Sequence, residues 1–172
     1  MDDLALSTLI PLDQADPALV EQVLDLAFGT DRHTRTAYKI RAGTEWLPAL
    51  SFAALDEAET LVGTIQAWPV ALTDPAGRAH PLIMVGPVAI LPGRQGQGFG
   101  RALMAAQAAA LDPAAPLPQV LIGDEPYYGK FGFSEAPRGW QCPGPWEPER
   151  LLVRTVSPLV LPREGTLGPW RG

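Results

Sequence analysis

Arg94-Gln95-Gly96-Gln97-Gly98-Phe99-Gly100-Arg101 stands between an almost unbroken apolar run, Pro81 to Leu91, and an alanine-rich stretch carrying Leu103, Ala106, Ala110 and Leu111 at helical spacing. The order is strand, glycine loop, helix. The spacing predicts a helix from about Gly98 to Leu111, ended by Asp112-Pro113. Successive N–H groups in such a loop, opening onto a helix start, form a concavity lined with donors and backed by the positive end of the helix dipole. An anion is its natural occupant. Gly98 and Gly100 put no Cβ between backbone and phosphate, Gly96 is free to take positive φ, and Arg94 and Arg101 bring positive charge to the two ends. Two common nucleotide loops fit poorly. A dinucleotide fingerprint needs glycine where Arg101 stands, and a nucleoside-triphosphate loop needs a lysine-hydroxyl pair that does not follow. A bare tight turn from strand to helix is the remaining structural alternative.

Working outward, Gly86-Pro87 interrupts the apolar run, since proline removes a ladder donor and glycine permits a bulge. Pairing with a neighbouring strand should break there and leave room for a ligand. Gln119 to Gly123 is a short apolar strand after the helix, which makes the Leu82 to Gly123 stretch a crossover unit with parallel strands. Upstream, Leu6 to Leu12 reads as a strand, and Asp16 and Pro17 start a helix that runs to Phe28 and stops at Gly29. A shorter helix is expected around Thr36 to Arg41. Ser51 to Leu55 and Thr60 to Pro69 form a hairpin about Asp56-Glu57-Ala58-Glu59, and Thr73-Asp74-Pro75-Ala76-Gly77 is a stronger turn signal. Leu151 to Val156 reads as the last strand, and Pro162 to Gly172 as an irregular tail.

The chain has 172 residues, a length that fits one domain over 1–172. With 47% hydrophobic and 19% charged residues it has a globular composition, and no apolar run is long enough to span a bilayer. The acidic opening Met1-Asp2-Asp3-Leu4 is unlike a secretory signal, so a cytoplasmic location is expected. Cys142 is the only cysteine, which excludes an internal disulfide and a thiol cluster for metal. No metal is expected. A net charge of −6 argues against nucleic acid as a partner and tilts the choice of substrate toward a cationic amine.

Gln95-Gly96-Gln97-Gly98-Phe99-Gly100 matches the Q/R-x-x-G-x-G/A motif of the GNAT superfamily of N-acetyltransferases. Gly86-Pro87-Val88-Ala89-Ile90 ahead of it and Tyr127-Tyr128-Gly129-Lys130-Phe131-Gly132-Phe133 behind it resemble the blocks of the bacterial YhbS-like subgroup. Together these cover about Leu82 to Phe133. The resemblance implies an α/β fold whose mixed, mostly antiparallel sheet has splayed central strands and flanking helices. It also implies acetyl-CoA as co-substrate and direct transfer of the acetyl group to a primary amine in a ternary complex. Val88 and Ile90 would offer backbone groups to the pantetheine arm, and an N–H near Val88 or Ala89 would polarise the thioester carbonyl. Gln95, Gly96, Gln97, Gly98, Phe99, Gly100 and Arg101 would hold the pyrophosphate, with Lys130 reaching toward a cofactor phosphate.

Aminolysis of a thioester needs a neutral amine and a protonated leaving sulfur, so an acid and a base are both useful. The resemblance places Tyr128 at the sulfur, as acid. A phenol with a pKa near 10 is protonated at neutral pH. The base is less legible, because the strand positions Ile83, Met84 and Val85 are apolar where many relatives carry a carboxylate. Asp124 and Glu125 are the candidates, acting directly or through water, while their structural alternative is an N-cap for the tyrosine helix, and Asp124 could do both. His33 and His80 stand alone in polar loops. Asp31 to Pro48 and Trp140 to Trp146 are expected to border the acceptor. The expected partner is a small-molecule or peptide amine, with no membrane and with a homodimer left open. The rival reading is a non-catalytic acyl-CoA-binding or regulatory module.

Overall fold

Asp16 and Pro17 start the first helix as the sequence predicts: the Asp16 carboxylate accepts the Ala18 N–H at 2.9 Å and Pro17 fills the first helical position. This helix, α1 (Pro17–Phe28), ends at Gly29, whose φ of 94° few other residues adopt. The computed structural model describes residues 8–114, 117–155 and 161–171. Strand β1 (Thr8–Pro11) precedes α1; the expected Leu6 start lies outside the described residues, and the strand stops at Pro11 because Leu12–Gln14 winds into a 3-10 turn. After α2 (Thr36–Ile40) come β2 (Phe52–Leu55), β3 (Leu61–Thr73) and β4 (Ala79–Ile90). The turn before β4 follows the sequence signal. Asp74 Oδ1 accepts the N–H groups of Ala76 and Arg78, and Gly77 has φ 86°.

Helix α3 (Phe99–Ala109) follows the glycine loop. Its buried face is Phe99, Ala102, Leu103, Met104 and Gln107, whereas Ala106, Ala110 and Leu111 of the expected stripe are less buried. Alanine is small enough for either face, so the large side chains set the rotation. Strand β5 (Gln119–Ile122) lies parallel to β4, as the crossover predicted, with Ile83 opposite Gln119 and Met84 opposite Val120. That ladder ends just before Gly86, and the Gly86–Pro87 peptide is cis. Then come α4 (Glu125–Tyr128), β6 (Ser134–Glu135), β7 (Gly139–Gln141), β8 (Leu151–Arg154) and β9 (Glu164–Pro169). Val156, the expected end of β8, lies outside the described residues.

The tail is where the sequence misleads. Instead of an irregular segment, Glu164–Pro169 forms β9, antiparallel to β3 and parallel to β7. Glycine and proline give this segment little strand propensity, but pairing on two sides supplies the hydrogen bonds. The same contact carries β3 past Pro69, where it was expected to stop: proline lacks only a donor, and the Pro69 carbonyl accepts the Trp170 N–H at 3.2 Å.

The sheet order is β1-β2-β3-β4-β5-β8-β6, with β9 pairing β3 and β7. The chain divides into two compact units, and β3 and β4 each contribute to both. The first holds residues up to His33, Trp46–Ala67 and Gly86–Leu111. Its core joins Val20, Val23 and Leu24 of α1 to Leu12, Ala53, Leu61 and Ala89. The second holds Thr34–Glu45, Trp68–Val85 and the chain from Asp112 onward. Its core is centred on Trp140, Leu72, Leu82, Val120, Leu151 and Leu167. Among the described residues, no helix is long and apolar enough to cross a membrane.

Candidate active site

In the first unit the glycine loop has the form its sequence predicts. Gly98 is the N-cap of α3 in the left-handed region at φ 89°, and Gly96 has φ 77° with open space where a Cβ would stand. Among the described residues, none of the N–H groups from Gln95 through Arg101 has an intramolecular acceptor, and the first inward bond is from Ala102 to the Gly98 carbonyl. These donors stand at the positive end of an eleven-residue helix. The Phe99 ring is buried and anchors the loop from below, so only its backbone can serve a ligand. The side chains of Gln97 and Arg94 are engaged with the protein itself. The Gln97 side-chain oxygen accepts from Arg94 Nε at 3.0 Å, and Arg94 Nη1 donates to Asp56 Oδ2 at 2.7 Å. Arg94 is therefore a brace, neutralised by Asp56, and Arg101 is the exposed cation without a partner among the described residues.

Asp56 ties the β2–β3 turn to this loop, and its Oδ1 also accepts the N–H groups of Ala58 and Thr60. The Thr60 N–H, then the Arg94 guanidinium, hold its carboxyl below the ordinary value. A depressed folded pKa contributes stability that is present above the unfolded value, about pH 4, and is lost as pH falls through the folded one. Melting temperature measured across that window is thus expected to fall more in the wild type than in Asp56→Asn. Equal acid sensitivity would remove the brace.

Along β4, Leu91 donates its N–H to Val62 on β3 at 2.9 Å. Backbone groups alternate sides along a strand, so Ala89 shares the β3 side and Val88 and Ile90 turn their groups away from it. Val88 and Ile90 are thus the positions whose backbone groups lack β3 as a partner. Ala89 is buried against β3, which leaves Val88 as the candidate donor to a carbonyl. Gly63 lets the strands approach: a Cβ there would stand 2.7 Å from Ile90 Cδ1.

In the second unit, β5 turns through Gly123 and Asp124 into α4. Asp124 holds the N-cap position, yet its side chain caps nothing and instead accepts from Arg150 Nε at 3.1 Å. Its main-chain oxygen receives the N–H groups of both Tyr127 and Tyr128. The Tyr128 ring packs edge-on against Tyr127 and Phe133, at 4.9 and 6.3 Å between centroids. Burial pushes its phenol up to about 12, helped by Tyr127 and Asp124 and opposed by Arg150. It is a firmly protonated group. Lys130 Nζ lies 5.8 Å from the centre of the Tyr127 ring, and Tyr127 itself is half exposed.

The model of the acetyltransferase (GNAT) family matches residues 18–113, more than half of the chain, from α1 through the glycine loop and α3. The chain belongs to the GNAT family. Among solved structures the GNAT chain is similar to the Escherichia coli N-acetyltransferase YhbS, determined in complex with CoA. The two are 22% identical over 96% of this chain and 90% of that one, with a TM-score of 0.70. It is also similar to a GNAT family acetyltransferase from Brucella melitensis in complex with acetyl-CoA, at 27% identity over 87% of this chain and 96% of that one, with a TM-score of 0.58. No significant match was found among curated proteins. The GNAT fold, with its mixed sheet and flanking helices, is the fold expected from the sequence.

Several other side chains of this GNAT protein take structural parts. His80 Nε2 pairs with Asp74 Oδ2 at 2.9 Å beside the β3–β4 turn. In the two segments expected to border an acceptor, Arg32, Arg41 and Trp140 are buried. Arg32 is buried against Glu21 and Asp25, and Arg41 lies 4.0 Å from the rings of both Tyr38 and Trp68. Trp140 sits in the core of its unit and donates Nε1–H to the Pro162 carbonyl at 2.9 Å. Asp56, Gly123 and Arg150 escaped the sequence reading. No local pattern marks them, because each acquires its part through a residue distant in the chain or through shape alone.

Proposed function

We propose that this GNAT protein is an N-acetyltransferase that moves an acetyl group from acetyl-CoA to a primary amine by direct transfer in a ternary complex. The carrying observation is the run of N–H groups from Gln95 through Arg101 left without intramolecular acceptors at the start of α3. Two phosphates can take these donors, with Arg101 as countercharge, and Gly96 and Gly98 keep the approach clear. Acetyl-CoA supplies the activated acyl group. Val88 donates to the carbonyl oxygen as charge develops there, and Val88 and Ile90 present the backbone groups along which the pantetheine arm lies. Tyr128 holds a proton for the departing sulfur, and its protonated state at neutral pH suits that part. Asp124 draws a proton from the incoming ammonium, directly or through water, with Arg150 orienting its carboxylate. Lys130 supplies a further cation for a cofactor phosphate in this reading. We place the reaction in the cytoplasm, with a cationic small-molecule or peptide amine as acceptor.

A second reading, a non-catalytic acyl-CoA binder, is favoured by one observation. Ile83, Met84 and Val85 of β4 are buried and apolar, so none of them is a base on that strand. Calorimetric titration with acetyl-CoA, followed by assay of free CoA across a panel of amines, separates the readings. Saturable binding with amine-dependent CoA release is expected. Binding without release would leave the second reading, and no saturable binding up to about millimolar ligand would remove both.

A further inference from the structure

The turn between β5 and α4 is shaped around one ring. A Cβ built on Gly123 would stand 2.4 Å from Cε2 and 2.7 Å from Cδ2 of Tyr128, closer than any real contact. Neither partner is free to retreat. The Gly123 N–H donates to the Arg150 carbonyl at 2.9 Å, which ties this residue to the start of β8. Tyr128 is tied by its N–H to the Asp124 carbonyl at 3.0 Å and by its own carbonyl to the Phe133 N–H at 3.3 Å. On its other sides the ring meets the edges of Tyr127 and Phe133. The Leu121 side chain also closes on the Gly123 position, with Cδ1 3.2 Å from the same imagined Cβ. Only a bare Cα leaves room for the Cδ2–Cε2 edge of the ring there.

We infer that Gly123 is the positioning residue for Tyr128, its missing side chain forming the seat that fixes where the phenol oxygen points. No positive φ demands glycine at this position, so the requirement is one of space. The inference rests on the reading of Tyr128 as the acid of acetyl transfer. A proton donor contributes through its placement, and a displacement of about an ångström is enough to lose much of its effect. Even the smallest side chain at Gly123 must move the ring by more than that tolerance, or move the β5–α4 turn with it.

The test has an arm that needs no variant at Gly123. In the wild-type protein the Gly123 Hα protons lie beside the Cδ2–Cε2 edge of the Tyr128 ring and are expected to carry a ring-current shift that vanishes in Tyr128→Leu. Gly123→Ala is then expected to lower kcat about 10- to 100-fold while KM for acetyl-CoA stays within about twofold, and to lower it no further in a Tyr128→Phe background. The phenol gives a third readout. Absorbance at about pH 11, taken as the difference from Tyr128→Phe, should show Tyr128 less ionised in the wild type than in Gly123→Ala, where a displaced ring is expected to be less buried. Hα shifts indifferent to Tyr128 would overturn the seat. So would a Gly123→Ala protein with wild-type kcat and unchanged phenol ionisation. A seat seen in the resonances and the titration, in a protein that acetylates no amine, would overturn the proposed reaction and leave the seat standing.

Discussion

Tyr128→Phe lowers kcat about 100-fold or more and leaves the affinity for acetyl-CoA within about twofold of the wild type. The substitution removes one oxygen and keeps the ring, so the packing against Tyr127 and Phe133 and the close approach to Gly123 are retained. What is lost is the proton. Because burial holds the phenol up at about 12, Tyr128 is protonated throughout the neutral range. Any alkaline decline of kcat that comes from its ionisation should lie near that value and be absent from the variant. Single-turnover measurement at saturating acetyl-CoA separates the chemical step from binding. A rate equal to the wild type in that experiment removes Tyr128 from proton transfer.

Gly98→Asp weakens acetyl-CoA binding about 100-fold, whereas Gly98→Asn weakens it by about tenfold or less. Both residues tolerate the left-handed conformation that Gly98 holds, so the loop should keep its shape in either variant. Both side chains can also take an orphan N–H at the helix start. They differ in charge. An aspartate sets a carboxylate where a diphosphate must lie, and the resulting gap of about tenfold corresponds to about 1.4 kcal/mol. Calorimetric dissociation constants for the two variants decide the matter, and equal constants would mean that no anion sits at this helix start. A raised salt concentration should narrow the gap, since both charges are near solvent.

Much of this site was legible because its chemistry is local. Asp16 and Pro17 cap the helix they precede, Asp74 and Gly77 close the turn they belong to, and the alternating glycines open directly onto the helix they serve. The parallel crossover from β4 to β5 followed from the order of strand, loop and helix. What escaped depends on distant partners. Arg94 reads as a phosphate ligand by its place in the loop, and only the fold brings Asp56 to neutralise it. Asp124 reads as a base or a cap, and only the fold brings Arg150 to its carboxylate in place of the helix N–H groups. Gln107 lies on the buried face of α3, where a polar residue would not be sought. Glu164–Pro169 has the composition of a loop and becomes a strand because β3 and β7 offer it partners.

That last strand bears on how the polypeptide matures. Val70 of β3 finds its partner in Pro169, and Thr73 finds its partner in Thr166, so these pairs join regions far apart in the chain. A ribosome making this protein releases β3 long before β9. Until then, the edge of β3 from Val70 to Thr73 presents unpaired backbone groups to whatever is nearby. Such long-range closure slows folding, and these hydrogen bonds of the second unit wait until β9 has been made.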